Sequence, residues 1–415
     1  MRSAVLSVGT EILFGQITNT NSVYISQQLN LLGFDVLYHY TVGDNDGRLS
    51  EMVDLAFKDC DLIITSGGLG PTEDDMTKET VCKVMGDNLV EHEPSMEALV
   101  EGSKKLGHKL TENNYKQAMM PSKATVFDND AGSAPGFALE KNGKIIICMP
   151  GPPREMTRMF QRRVKPFLEK YQDKAIYYKT LRFFGKGESS LETDLLDLID
   201  AQKDPTIATY AKEGECTVRV ASKRDTLEEA KKAVADTTDI IVSRLGQYIY
   251  SIDDEELVQV VGRKLLEKGI TISCAESCTG GMFAETLTSV PGISEVFDRG
   301  LVTYTANAKI DELGVREDTI TKHTVYSAEV AKEMAAGLYE KTGSNICVSI
   351  TGIAGPGGEM PGKPVGLIYI GCAFAGDVKV REVHMRNVSR NWNRHYAVLS
   401  MLDMVNKCID EANLN

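Results

Sequence analysis

Three stretches of the chain carry residue types that could do chemistry. In one, the apolar run Ile270 to Cys274 delivers Ala275-Glu276-Ser277-Cys278-Thr279-Gly280-Gly281 to the opening of a helix. A nucleophile so placed sits among backbone N–H groups that a helix start leaves free, with the helix dipole behind it, which suits a developing oxyanion. Ser277 is the candidate and Cys278 its rival. Serine also caps helices well, so this motif by itself fits either a nucleophile or a cap. A serine nucleophile needs a base, and His323, His384 and His395 stand in no recognisable catalytic setting. Lysine is the alternative. The strand Gly300 to Tyr304 runs on into Thr305-Ala306-Asn307-Ala308-Lys309, so Tyr304 and Lys309 leave a strand edge where loops form sites. A lysine buried beside apolar walls can lose its proton and take one from a hydroxyl. Without the serine motif the same two residues read as an interfacial tyrosine and a solvated lysine.

A second stretch, Thr351-Gly352-Ile353-Ala354-Gly355-Pro356-Gly357-Gly358, follows the strand Cys347 to Ile350. Glycines there let the backbone close on a ligand and turn N–H groups toward an anion such as phosphate. Combined with the Ser277 motif, this points to a phosphorylated amide substrate, with Thr279, Gly280, Thr351, Gly352, Ala354 and Gly355 as binding positions. In the third stretch, the strand Asp61 to Thr65 leads into Ser66-Gly67-Gly68-Leu69-Gly70-Pro71-Thr72-Glu73-Asp74-Asp75-Met76-Thr77. Gly67, Gly68 and Gly70 permit close approach to phosphate, and Asp74 and Asp75, opening a helix, could hold Mg²⁺ or another hard cation that bridges a pyrophosphate. The same carboxylates could simply cap that helix. Glu11, Asn19, Asn21 and Asp44 fall at strand ends or helix starts near the same edge, each a ligand contact or a cap.

The elements that must position these residues alternate. Strands at Ser3 to Val8, Phe34 to Tyr40, Asp61 to Thr65 and Lys144 to Met149 are separated by helical stretches such as Asn21 to Leu32, and a helix starts from Glu155. Alternation of this kind predicts a parallel sheet with helices on both faces, and such sheets bind ligands at the C-terminal ends of their strands. Residues 172–252 change rhythm to strand, helix, strand, strand, helix, an α+β pattern, and the acidic run Asp253 to Glu256 reads as the solvated start of the next helix. Alternation then returns through 253–415. The chain therefore divides into 1–171, 172–252 and 253–415, an α/β protein with a small α+β domain between its two larger ones.

Composition limits the function. With 42% hydrophobic and 25% charged residues in 415, the chain is globular and large enough for several cores. The formal net charge of −13 argues against broad binding to nucleic acid or to an acidic membrane surface. The nine cysteines are an odd number and sit mostly in apolar runs, which suits a reducing cytoplasm. No apolar run reaches membrane-spanning length, and the N-terminus carries no signal-like stretch.

The paired motifs, Ala275 to Gly281 and Thr351 to Pro356, resemble those of the CinA (competence/damage-inducible protein) family, and the resemblance extends over essentially the whole chain. It implies a C-terminal domain similar to nicotinamide mononucleotide deamidase, which needs no cofactor, with Ser277 as nucleophile and Tyr304 and Lys309 as its activating partners. It places Gly292 and Ser294 around the substrate and oxyanion. Where family members carry a phenylalanine-x-glycine before two arginines, this chain reads Met385-Arg386-Asn387, then Arg390 and Arg394, so those arginines are either substrate contacts or surface charges. The first domain resembles the molybdopterin-binding fold of the MogA and MoaB type, with Asp75 matching its acidic residue. In this family that fold implies an ADP-ribose pyrophosphatase dependent on a divalent metal, Mg²⁺ or Co²⁺. The middle domain resembles the family's K-homology-type insert, but it has no Gly-x-x-Gly loop, so nucleic-acid binding is not supported. The resemblance thus implies a homodimeric cytoplasmic hydrolase of pyridine-nucleotide salvage acting on nicotinamide mononucleotide and ADP-ribose. Two other readings stand beside it: a non-catalytic competence or recombination partner, and a molybdopterin-binding protein.

Overall fold

A computed structural model describes residues 1–107, 109–172, 174–386 and 388–411. The chain forms two compact units, residues 1–177 with 222–232, and residues 178–221 with 233–415.

In the first unit, strands run in the order Asp35–Val42, Arg2–Val8, Leu62–Ser66, Lys144–Met149, Gly136–Lys141 and Thr125–Phe127, the first four parallel. The nearly unbroken apolar runs of its central strands follow from burial on both faces. Ala4, Leu6, Ile63 and Ile146 enter one core, with Leu49, Val53 and Val81, while Val5, Leu62, Ile64 and Ile147 enter the other, with Ile25, Leu29 and Phe160. The period of two along each strand thus feeds two layers of helices.

The α+β segment forms a four-stranded sheet in the order Thr206–Lys212, Glu215–Arg224, Ala175–Phe183, Ile249–Ser251, with helices Glu188–Ala201 and Leu227–Leu245. The second unit's larger sheet runs Phe297–Val302, Ile272–Glu276, Ile346–Gly352, Leu367–Phe374, Asp377–His384. Its first three strands are parallel and its last two antiparallel. Ile272, Cys274, Val348, Ile350 and Ile370 pack with the helices Leu257–Lys268 and Arg390–Glu411, while Ala275, Cys347 and Ala373 pack with helix Ala328–Thr342. The α/β architecture expected from the alternation is the one observed. All nine cysteines are buried and unbridged. Among the described residues no helix is long and apolar enough to cross a membrane.

Several local expectations need correction. Lys309 is not on a strand edge but inside a helix, Ala306–Leu313, which Thr305 caps by accepting from the Ala308 amide at 3.1 Å. Asp74 and Asp75 do not open a helix. They lie in the turn before Thr77–Val84, whose N-terminal flank is Met76. The helix expected from Glu155 begins at Pro153. The acidic run does stand as the solvated start of the next helix: Asp253, Asp254 and Glu256 are exposed, Glu256 caps helix Leu257–Lys268, and Asp254 also accepts from the buried Arg182 at 2.7 Å.

Candidate functional site

Ser277 leaves the C-terminal end of strand Ile272–Glu276, second in its sheet, and the edge strand Phe297–Val302 ends alongside it, with Glu276 opposite Val302. Helix Ala306–Leu313 then turns Lys309 back toward the same edge. Its Nζ lies 3.0 Å from Ser277 Oγ and donates to the Thr303 carbonyl at 2.7 Å. Lys309 is 1% exposed and Ser277 5%. Burial lowers the Lys309 pKa to about 8, because the ammonium form loses hydration that no carboxylate among the described residues replaces. Cys278, the rival nucleophile, is itself buried, and its thiol is pushed up to about 12 by the same loss of water. The hydroxyl of Ser277 thus has a base within hydrogen-bond reach, an amine that burial holds closer to its neutral form, whereas burial disfavours the thiolate of Cys278.

The expected oxyanion setting is altered by Glu276, a residue of the motif to which sequence reasoning assigned no role. Its buried carboxylate accepts from the amides of Gly281 and Phe283 at 3.0 and 3.1 Å, and from Ala284 at 2.9 Å. The amides at the start of helix Met282–Thr288 are thus already committed, and the carboxylate offsets the dipole behind them. The amides of Cys278 and Thr279, next to Ser277, do not bond to Glu276. An acidic residue just ahead of a helix start was the available signal for this cap.

The long last helix brings the two arginines in. Arg390 donates to the Gly355 carbonyl at 2.5 Å and to the Tyr304 hydroxyl at 3.2 Å, and Arg394 donates to the Thr279 carbonyl at 2.6 Å. They tie together the Ser277 turn, Tyr304 and the glycine-rich loop, so they are not free surface charges. Asn393, between them and fully buried, donates to the Ala354 carbonyl at 2.9 Å; it was missed because its polarity looks like that of any helix surface. Thr351 is buried and donates to the Val325 carbonyl at 2.7 Å, Gly352 ends its strand, and Gly280 adopts a left-handed φ of 61° in the turn. The Thr279 hydroxyl is buried with no partner among the described residues. Tyr304 is 57% exposed.

Gly292 and Ser294 do not join this site. They precede strand Phe297–Val302, whose parallel pairing puts Phe297 opposite Ile272 at the end of the sheet away from Ser277. Five strand residues at about 3.3 Å each separate the two edges. Asn387 lies outside the described residues. His384 pairs with Glu382, His323 with Glu329, and His395 is exposed; none reaches Ser277.

At the first unit's sheet the parallel strands end at Val8, Val42, Ser66 and Met149, bringing four turns to one edge. The Asn21 amide donates to Ser66 Oγ at 2.8 Å and to the Gly151 carbonyl at 2.7 Å, locking two of them. Asp44 accepts from the Thr10 amide and hydroxyl at 3.0 and 2.7 Å, and Asn19 caps the helix Thr20–Leu31 while donating to Ser7. Both are therefore structural ties as placed; Glu11 is exposed. The glycines are required by the chain itself. Gly67 has φ 111° and a Cβ there would lie 2.0 Å from the Val8 carbonyl oxygen, and one on Gly68 would lie 2.2 Å from Thr77 Oγ1. A Cβ on Gly70 would lie 2.4 Å from Asp75 Oδ2, the oxygen that accepts from the Thr72 amide at 3.0 Å. Lys116 clasps the turn through the carbonyls of Thr72 and Asp75. Among the described residues no group of three or more His, Cys, Asp or Glu side chains is gathered to hold a metal.

Fold and site together define a chain of two α/β domains separated in sequence by an α+β one, the first carrying a glycine-rich, carboxylate-bearing turn at the strand ends of its sheet and the last a buried serine–lysine pair at the strand ends of its own. Known proteins match in the same three parts. A probable molybdopterin binding domain matches residues 4–170, the damage-inducible protein CinA KH domain 178–251, and the CinA C-terminal domain 254–409. A putative competence-damage inducible protein of Acetivibrio thermocellus is 46% identical over 409 residues, covering 99% of each chain. A CinA-like protein of Dictyoglomus turgidum is 44% identical over 407 residues, covering 98% of this chain and 99% of its own. The chain belongs to the CinA family.

Proposed function

We propose that the C-terminal domain is a serine–lysine amidohydrolase that converts nicotinamide mononucleotide to nicotinate mononucleotide and ammonia. The observation that carries this reading is the 3.0 Å contact between Ser277 Oγ and a buried Lys309 amine whose pKa is lowered to about 8. Ser277 Oγ attacks the carboxamide carbon and its proton passes to neutral Lys309 Nζ. The tetrahedral adduct collapses with cleavage of the C–N bond as Lys309 returns that proton to the leaving nitrogen, which departs as ammonia. Water, deprotonated by Lys309, then cleaves the acyl ester and frees Ser277. Arg390 and Arg394 hold the surrounding loops; Tyr304, expected as an activating partner of the pair, has its hydroxyl bonded to Arg390 and not to Ser277 or Lys309, so its proposed part is to contact substrate. Purified protein should release one ammonia per nicotinate mononucleotide formed; a folded protein that releases none refutes the reading.

For the first domain we propose metal-dependent hydrolysis of ADP-ribose at the turn carrying Asp75. The support is the convergence of four strand ends at one edge beside two adjacent carboxylates. Two carboxylates are too few for a cation site made of protein alone. They fit Mg²⁺, which keeps water and is shared with substrate phosphates. Asp74 and Asp75 would hold the cation, which when bound would offset pyrophosphate charge and lower the pKa of a bound water. Asp75→Ala should abolish Mg²⁺-dependent ADP-ribose hydrolysis while deamidation continues; unchanged hydrolysis removes Asp75 from this role.

A further inference from the structure

The glycine-rich loop after strand Ile346–Gly352 starts at the same sheet edge as Ser277, since Glu276 lies opposite Ile350. Its inner part is tied to the last helix through the Ala354 and Gly355 carbonyls. From Pro356 to Gly362 the loop is exposed, and Gly357, Gly358 and Gly362 leave that backbone little stiffness of its own. Its far end is held by Lys363, which exchanges backbone hydrogen bonds with Met360 at 2.8 and 3.0 Å. The Lys363 ammonium donates to three oxygens of one turn, the carbonyls of His323 and Tyr326 at 2.6 Å each and Thr324 Oγ1 at 2.8 Å. An ammonium has three donors, so all of them end on this turn and none reaches Ser277 or Lys309. The same turn also grips the start of the loop, because the Val325 carbonyl accepts from the Thr351 hydroxyl at 2.7 Å.

Thr324 sits on strained backbone. Its φ of 66° and ψ of 166° fall in a region that is essentially glycine's own, and among the described non-glycine residues with positive φ it alone is β-branched. Glycine would occupy that position without strain. What threonine adds is the hydroxyl that accepts from Lys363, and a residue strained in this way persists only where its surroundings fix it. We propose that Thr324 and Lys363 are positioning residues for the Ser277 reaction, clamping both ends of the glycine-rich loop to one turn so that the loop stands as a substrate-binding surface. This rests on the amidohydrolase reading. Because the clamp acts through the loop and not on the reacting atoms, loosening it should weaken substrate binding and leave the chemical step nearly intact.

The test uses full-length protein in two assays: steady-state ammonia release from nicotinamide mononucleotide, and hydrogen–deuterium exchange of the 353–366 segment without substrate. Lys363→Met removes the donor, and Thr324→Val removes the acceptor while keeping the β-branch. Lys363→Met should raise KM at least about tenfold and Thr324→Val severalfold, with kcat within about threefold of the parent. In both variants the Met360 and Lys363 amides, bonded within the segment, should exchange faster. Thr324→Ser keeps the hydroxyl and should match the parent in both assays. If Lys363→Met does not fold, the contrast between Val and Ser at position 324 decides. The proposal is overturned if exchange of the segment is unchanged in the variants that fold, if kcat falls while KM stays, or if Thr324→Ser behaves as Thr324→Val does. A parent that releases no ammonia, with exchange still responding to the variants, refutes the deamidase reading and leaves the clamp supported.

Discussion

If the C-terminal domain is the proposed deamidase, the lowered pKa of Lys309 makes the pH dependence of its activity a direct reading of the site. In the proposed mechanism the neutral amine is the form that accepts the Ser277 proton, so activity is expected to rise with pH as Lys309 deprotonates. With a pKa of about 8, about one tenth of the free enzyme is neutral at pH 7 and about nine tenths at pH 9, so kcat/KM should rise roughly tenfold between them and then level off. The assay is initial-rate ammonia release at limiting nicotinamide mononucleotide, with coupling enzymes in excess at each pH. Lys309→Arg keeps the cation but cannot deprotonate in this range, so it should lose activity by several orders of magnitude and show no recovery at high pH. A profile with its inflection near 6.5, the histidine range, or an active Lys309→Arg variant would refute the lysine-base argument.

Stability carries the same signature. Lys309 gives up its proton at about 8 when folded and at about 10.4 when unfolded, so between those values the unfolded chain binds more protons and the parent gains stability as pH rises. Lys309→Met lacks this dependence. The stability difference between variant and parent should therefore shift by about 3 kcal/mol in the parent's favour from pH 7 to pH 11 in denaturant unfolding, and a constant difference contradicts it. Glu276→Ala removes the acceptor for three amides; it should cost about 2–4 kcal/mol and lower kcat, and a variant as stable as the parent would show that the cap is dispensable. Gly67→Ala should destabilise the first unit by about 3 kcal/mol or more, since its Cβ meets the Val8 carbonyl at a left-handed φ; a thermal melt unchanged from the parent's rejects this.

Much of this was legible in the residues. Strands buried on both faces announce themselves by unbroken apolar composition, as Leu62–Ser66 and Ile346–Gly352 do. The Ser277 motif was visible because a small nucleophile and paired glycines between a strand and a helix are few in number. What remained hidden depended on distant partners. Lys309 could be picked out, but its helix is short and polar on its outer face, so nothing local distinguished it from a loop. Arg390 and Arg394 were ambiguous until the helix Arg390–Glu411 placed them against Thr279, Tyr304 and Gly355. Gly292 and Ser294 were near Ser277 in sequence, yet parallel pairing sends the chain back across the sheet before the next strand starts, which separates them.

The central claim is that Ser277, and not the adjacent Cys278, is the nucleophile. The most direct test compares ammonia release from nicotinamide mononucleotide by folded Ser277→Ala and Cys278→Ala proteins. Ser277→Ala should lower kcat by several orders of magnitude, with Ser277→Ala combined with Lys309→Ala little worse, because the two groups act as one unit. Cys278→Ala should keep most of its activity. Turnover that survives Ser277→Ala and disappears in Cys278→Ala would contradict the account.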